Sequence, residues 1–369
     1  MSAPVRDHSP RDEGITQTRQ RLQEDLARVR ESLRSLVNPP DHRIQGPVMY
    51  AVEHTGRLLR PTLVLLSSYF LESERSGSTH QRVIEGAAVV ETLHIATLYH
   101  DDLIDEAQVR RGRPSVNAKF GDAIALLAGD YLLARCMQTA ASLGTSRMTA
   151  MAETLVDMCV GQMLESTQLY DPLRTEQDYF TAISGKTARL LRTAATMGAL
   201  QSGTSGDAQK ALESFGHHLG MAFQIWDDIL DICSRETGKQ PAKDIINGVY
   251  TLPVIYAVED DRDRLLRALR DQPLSTERCQ EVISVVRESG AISRAADVAQ
   301  RHIVDALSAI ESHPGTARHA PFTRQCLRDL VDTFASQHPA LRDLDYTPST
   351  KDALPSPTRR RKTRHATGP

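Results

Sequence analysis

"LYHDDLIDEAQVRRGRPS", residues 98–115, decides how the rest of the chain is read. It sets Asp101, Asp102 and Asp105 beside apolar residues, with Arg110 and Arg111 just beyond them. On a helix, Asp101 and Asp105 are four apart and stand one above the other on a single face. Asp102 lies about 100° round from them. Like charges at that spacing destabilise a bare helix, so a compensating cation is expected. The same Asp–Asp–x–x–Asp spacing returns in "WDDILD" as Asp227, Asp228 and Asp231. One such cluster is as readily a solvated acidic face. Two arise by chance in about one sequence of this composition in a hundred. Each follows largely apolar helical sequence, so each reads as carboxylates at the mouth of an apolar cavity.

Oxygen ligands without accompanying histidine or cysteine point to a hard cation. Magnesium binds through one or two carboxylates and completes its shell with water and substrate phosphate. The basic residues supply the rest of an anion site. Arg110 and Arg111 fall within three turns of Asp101, where guanidinium forks can grip phosphate oxygens. "HTGRLLRP" supplies Arg57 and Arg60, three apart on one helical face. "SGKTARLL" supplies Lys186 and Thr187, and "ETGKQPAKD" supplies Lys239 and Lys243. Carboxylate clusters with several basic groups predict a site for two polyanions.

The background composition is that of a soluble globular protein: 40% hydrophobic and 25% charged residues over 369 positions. A formal net charge of -3 exerts no global pull toward nucleic acid, so any basic function is local. Cys136, Cys159, Cys233, Cys279 and Cys326 are scattered and never spaced as CxxC. That disfavours a disulfide framework or zinc site and suits a reducing compartment. The first twenty residues lack the apolar core of a signal peptide, and no run has the length of a membrane span. A cytoplasmic protein is expected.

Between the ends the pattern is helical. In "RVIEGAAVVETLHIATLYHDDLID", Ile84, Ala87, Ala88, Leu93, Ala96, Thr97 and Leu98 keep a helix period with small side chains. "SFGHHLGMAFQIWDDILDIC" does the same with Phe215, Leu219, Phe223, Trp226 and Leu230. Further helix-period segments fall near 123–142, 148–169, 178–200 and 280–311. Aromatics are only 5%, which suits a helical core over a β-rich one. The expectation is one all-α domain, a helical bundle over residues 15–345. Residues 1–14 read as a tail. Residues 346–369 are rich in proline, serine and threonine, carry Arg359, Arg360, Arg361 and Lys362, and cannot bury enough surface to order themselves.

In this order, "GRLLRP", "LHIATLYHDDLIDEAQVRRGRPSVN", "GDYLLAR", "GQMLE", "SGKTARLL", "FQIWDDILD" and "TGK…TLP" closely resemble the all-trans polyprenyl diphosphate synthases, the head-to-tail prenyl-elongating family. The resemblance covers about Met49 to Ala257. It implies the isoprenoid synthase type of helical bundle, with a central apolar cavity. It further implies that Asp101 and Asp105 bind two Mg²⁺ ions with Asp102 supporting, and that Asp227 holds a third, helped by Asp228 and Asp231. Arg110, Lys186 and Lys239 would hold the allylic diphosphate; Arg57, Arg60, His94 and Arg111 would hold isopentenyl diphosphate. Lys186, Thr187 and Gln224 would turn oxygens toward the allylic cation. Members are typically homodimers. Two departures stand out: Arg57 occupies the place of a lysine, and Val249 and Tyr250 precede "TLP" where many relatives carry a lysine. Lys243 is a candidate to compensate.

In this family, residues one turn before the first cluster form the floor beneath the growing chain. Short-chain enzymes place aromatics there. Here the positions are Ala96 and Thr97, too small to block, and Ala152, Val156 and Cys159 are expected to line the same cavity. Close helix packing is the plainer use of small residues. A medium- or long-chain product is expected, with geranylgeranyl diphosphate as the alternative. A class I terpene cyclase would carry a different second metal motif and have no use for Arg57, Arg60 and His94. A squalene- or phytoene-synthase-like enzyme is disfavoured by the elongation spacing of both clusters. A non-catalytic partner subunit would have lost aspartates, and all are present.

Overall fold

The computed structural model describes residues 10–71, 77–202, 206–233, 242–270, 274–313, 315 and 320–336. The chain runs through α1 (Pro10–Val37), α2 (Gln45–Met49), α3 (Leu59–Leu71), α4 (Gly77–Ile104), a hairpin of β1 (Val109–Arg110) and β2 (Arg113–Pro114), α5 (Val116–Phe120), α6 (Asp122–Leu143) and α7 (Thr145–Thr167). It continues through α8 (Glu176–Ile183), a π-helical turn at Ser184–Ala188, α9 (Arg189–Gln201), α10 (Asp207–Cys233), α11 (Lys243–Ile246) and α12 (Leu252–Asp260). Last come α13 (Arg262–Ala268), α14 (Thr276–Glu288), α15 (Ala291–Glu311) and α16 (Ala320–Ser336).

The helices form a bundle around α4, α9 and α10. Helix α4 is buried on nearly every side between Val83 and Tyr99, which is why its small residues recur all round it and not along a stripe. The outer α15 is amphipathic: Ile292, Ala295, Ala299, Ile303, Ala306 and Ile310 face inward against α10 and α12. Close approach in the interior depends on small residues. A Cβ on Gly198 of α9 would stand 2.3 Å from the Val64 carbonyl of α3, so any side chain there would force the two helices apart. Helix starts carry ordinary caps, such as the Thr175–Asp178 capping box of α8.

Three local expectations change. Helix α1 starts at Pro10, so residues 10–14 are helical and not part of a tail. The segment expected as one helix over 280–311 is two, because Gly290 adopts φ +77° between α14 and α15. Arg110 and Arg111 do not extend the Asp101 helix. Helix α4 ends at Ile104, and Arg111 (φ +52°) and Gly112 (φ +75°) turn the β1–β2 hairpin back toward it. The ends at 1–9 and 337–369, with the boundary at 345 and the basic cluster 359–362, lie outside the described residues. No helix among the described residues is long and apolar enough to cross a membrane.

Candidate active site

Both aspartate clusters obey helix geometry in the same way. In each, the middle residue is buried, Asp102 at 2% and Asp228 at 3% exposure. The outer residues stay accessible to different degrees: Asp105 and Asp227 are exposed, and Asp101 and Asp231 are half-buried. The 100° step separates the two more accessible outer carboxylates from a middle one that is buried.

The partners differ. Arg110 donates its Nε–H to Asp102 at 2.7 Å, so one of the expected phosphate-binding arginines also neutralises the buried aspartate. Burial raises the Asp102 carboxyl, and Arg110 opposes the rise. Asp228 has neutral partners instead: the Tyr179 hydroxyl donates to it at 2.5 Å and the Gln224 amide at 2.8 Å. Burial drives Asp228 up to about 7, against the pull of those two donors. Asp231 accepts the backbone N–H groups of Lys243 at 3.2 Å and Asp244 at 3.1 Å, fixing the start of α11. Asp244 completes the group; burial and then Asp231, Asp228 and Asp227 push its carboxyl well above the ordinary range.

The π-helical turn stands close to both clusters. Its Lys186 ammonium meets Glu165 of α7 at 2.5 Å. Burial works against that charge, but Glu165, Asp101 and Asp105 outweigh it and raise the Lys186 pKa. Asp101 in turn is driven up to about 6, first by burial and then by Asp105, with Lys186 opposing. Thr187 donates to Gln224 at 2.7 Å, which carries the chain of bonds on to Asp228. Two glycines permit the turn. A Cβ on Gly161 of α7 would lie 2.5 Å from the Lys186 backbone nitrogen, and one on Gly185 2.6 Å from the Asp157 carbonyl. Single π turns commonly occur at functional sites because the extra residue displaces backbone groups from their helical partners.

Beside the first cluster lies a pocket lined by Glu91, His94, Leu98, Asp102, Arg110 and Arg111. Burial, then the nearby Arg60, Arg111 and Arg110, hold the His94 imidazole well below its usual pKa, so it is neutral and can donate one N–H. Burial also lowers Arg60, to about 10. The Arg60 Nε and the Glu91 Oε2 are buried with no hydrogen-bond partner. Arg111 packs its guanidinium against Gly56, where a Cβ would come within 2.8 Å of it, so the first basic motif and the hairpin meet. Arg57 and Arg60 do not share a helical face, however. Arg57 is exposed and precedes α3, Leu58 takes φ +55°, and only Arg60 belongs to the helix.

The floor residues divide. Thr97 lies one turn below Asp101 on the same face, partly accessible, with its hydroxyl on the His94 carbonyl at 3.0 Å. Ala96 is fully buried in helix packing. The expected wall on α7 is corrected: Val156 is 61% exposed and Cys159 is exposed, so they point outward, and Ala152 is only half-buried. The residues of α7 buried in the bundle are Met151, Thr154 and Gly161, with Leu155 and Met158 half-buried beside them. Lys239 lies outside the described residues. Tyr250 is buried, and its carbonyl accepts from Arg174 at 3.3 Å, so the position that often carries lysine serves packing here.

Sequence reading passed over Glu91, Glu165, Tyr179 and Asp244. Glu165 ends the quoted "GQMLE", and Asp244 adjoins Lys243 in a loop noted for its lysines, so both were visible as charges near motifs. Glu91 sits three residues before His94 on the same helix face. Tyr179 carried no signal; only the fold brings it to Asp228.

Known proteins share this sequence and fold. The sequence model described as polyprenyl synthetase matches residues 41–286. Nonaprenyl diphosphate synthase of Mycobacterium tuberculosis is 34% identical over 85% of this chain and 92% of its own length. Heptaprenyl diphosphate synthase component 2 of Geobacillus stearothermophilus is 35% identical over 84% and 95% respectively. The solved heptaprenyl diphosphate synthase from Staphylococcus aureus superposes with a TM-score of 0.79 at 28% identity, covering 85% of this chain and 98% of that one.

Proposed function

This chain belongs to the polyprenyl synthetase family and is a prenyltransferase, and on that premise we propose that it condenses isopentenyl diphosphate head-to-tail with an allylic diphosphate to make a medium- or long-chain all-trans polyprenyl diphosphate. The observation that carries the reading is the pair of aspartate clusters with the π-helical turn between them, Lys186 beside the first and Thr187 linked through Gln224 to the second.

The donor set fits Mg²⁺. Its groups are carboxylates, and burial together with their mutual repulsion raises Asp101 to about 6, Asp228 to about 7 and Asp244 well above the ordinary range, a repulsion that a bound cation would relieve. In this proposal Asp101 and Asp105 hold two ions, with Asp102 supporting from the scaffold, and Asp227 holds a third with Asp228 and Asp231. When bound, Mg²⁺ would supply Lewis-acid stabilisation of the departing diphosphate. Lys186, Arg110 and Lys239 bind the allylic diphosphate and hold its negative charge as the C–O bond breaks. Arg57, Arg60, Arg111 and His94 bind isopentenyl diphosphate and orient its double bond toward the cationic carbon. Lys186, Thr187 and Gln224 turn oxygens toward that carbon. The final proton leaves to the departed diphosphate.

A medium or long product rests on Thr97, which leaves room below Asp101, and on the names of the relatives above. The experiment incubates the purified chain with Mg²⁺, labelled isopentenyl diphosphate and separate allylic primers, then sizes the dephosphorylated products. Products well beyond twenty carbons are expected, and Thr97→Phe is expected to shorten them. A stop at fifteen or twenty carbons in the parent would leave the chemistry and sink the chain length, making geranylgeranyl diphosphate the alternative. One relative is named as a component 2, so no turnover by the chain alone would point to a second subunit.

A homodimer belongs to the same proposal. Leu126 and Leu127 of α6 and Val156, Val160 and Met163 of α7 expose apolar side chains on neighbouring helices. Light scattering on the purified protein tests it, with a monomer as the contrary result. Residues 15–345 would then act as one catalytic domain. A cytoplasmic location is also proposed, supported by five cysteines that all remain free thiols.

A further inference from the structure

On the far flank of α10 from its packing with the π turn, His218 meets His302 and Asp305 of α15. The two Nδ1 atoms stand 2.9 Å apart, and the ring centroids are 5.2 Å apart with 37° between the planes. One ligand atom from each of the three residues can be chosen so that all lie within 4.8 Å of one another. His302 and Asp305 are three apart and share a face of α15. Phe180 packs edge-on against His302, and the His217 ring lies 5.2 Å from that of His218.

We propose that His218, His302 and Asp305 form a binding site for a zinc-class divalent transition ion, linking α10 to α15. Two imidazoles and a carboxylate are borderline ligands that suit Zn²⁺, Co²⁺ or Ni²⁺; Mg²⁺ prefers oxygen alone. The nitrogens of two histidines on one tetrahedral zinc are about 3.3 Å apart, given Zn–N distances of about 2.0–2.1 Å. The observed 2.9 Å has only to open by a few tenths of an ångström, through small side-chain rotations. Burial lowers both imidazoles, His302 to about 4, so both are neutral near pH 7 and each keeps a lone pair. Asp305 supplies the anionic ligand from the exposed rim, and water completes the shell. Arg301 sets a positive field against the ion, which Asp305 offsets.

A metal-free alternative is a simple bond in which one Nδ1–H donates to the other Nδ1. The two differ in proton placement: the ion requires both rings protonated at Nε2, and the hydrogen bond requires only one. The site spans two helices packed together, and α10 carries Asp227, Asp228 and Asp231 further along. Binding therefore stabilises the scaffold beneath the catalytic clusters by mass action. It does not depend on the prenyl-transfer reading.

The test uses the full chain after chelator treatment, titrated with Co²⁺ near neutral pH. A four-coordinate site with nitrogen ligands absorbs strongly in the visible; an octahedral all-oxygen site absorbs weakly. One equivalent of Co²⁺ is expected to give the strong band. His218→Asn and His302→Asn should abolish it, and Asp101→Asn should leave it. Micromolar Zn²⁺ should raise the melting temperature of the parent by about 3–6 °C but not that of His302→Asn. Asp305→Asn, at an exposed position that leaves folding intact, should weaken Co²⁺ binding at least tenfold. No strong band in the parent, or a band unchanged in both histidine variants, would overturn the site.

Discussion

The two aspartate clusters share a spacing and a burial pattern, but are held by different means. Asp102 is neutralised by a cation from eight residues downstream, so the first cluster is assembled almost locally. Asp228 is held by a tyrosine from another helix, and Asp231 by the first backbone N–H groups of α11. Helix geometry decides which carboxylates stay accessible; the partners decide the charge state and rigidity of the rest. In the first cluster a cation thus stands beside the buried Asp102 before any ligand arrives, although Asp101 is still driven up to about 6, whereas in the second the buried Asp228 has only neutral donors and rises to about 7.

The comparison breaks most readily at the accessible aspartates. Asp101→Asn or Asp227→Asn should each lower kcat by about 10³-fold or more with an unchanged melting curve, because each removes charge where the leaving group develops its own. Steady-state kinetics with circular-dichroism melts checks this; turnover within tenfold of the parent would sink the division between outer and middle residues. At the turn between the clusters, Gly185→Ala drives a Cβ into the Asp157 carbonyl at 2.6 Å. A loss of about 3 kcal/mol in urea unfolding is expected, together with lost activity.

The middle positions sharpen the contrast. Asp228→Ala strands the buried Tyr179 hydroxyl and should cost about 1–3 kcal/mol, while Asp228→Asn, close in shape but with one of its two acceptors replaced by a donor, should cost less. Asp102→Ala leaves Arg110, whose side chain is 34% exposed and can turn to water, at under about 1 kcal/mol. Equal losses at the two alanine variants would erase the difference between the clusters.

The smallest effect on activity lies on α10 and α15 away from both. Burial holds His217 and His302 down to about 4, from an ordinary 6.5. The unfolded chain then binds more protons than the native one between those values, so stability is complete above about 6.5 and falls as pH drops toward 4. Melting scans of the chelated protein across that window should show the midpoint fall by several degrees, and replacing both histidines by glutamine should flatten the slope.

Much of the site was legible because its signals are local. Asp101, Asp105, His94 and Thr97 lie on one face of one helix, and helix periodicity is written in the sequence. The arginines are less legible: Arg110 and Arg111 follow within three turns of Asp101 in sequence, but two positive-φ residues fold them back as a hairpin. On α7 the small-residue pattern is real, but Val156 and Cys159 fall on the exposed side while Met151, Thr154 and Gly161 are buried. A helix period gives the relative phase of side chains, not which face the neighbours will cover.

By itself, then, the sequence determined the helical class, the two carboxylate clusters and the family, because spacing along a helix fixes which groups can share a face. Only the tertiary structure decided what answers the buried charges. Tyr179 on Asp228, Glu165 on Lys186 and His218 on His302 each join helices distant along the chain. Such pairs depend on how the helices pack, and no local spacing specifies them.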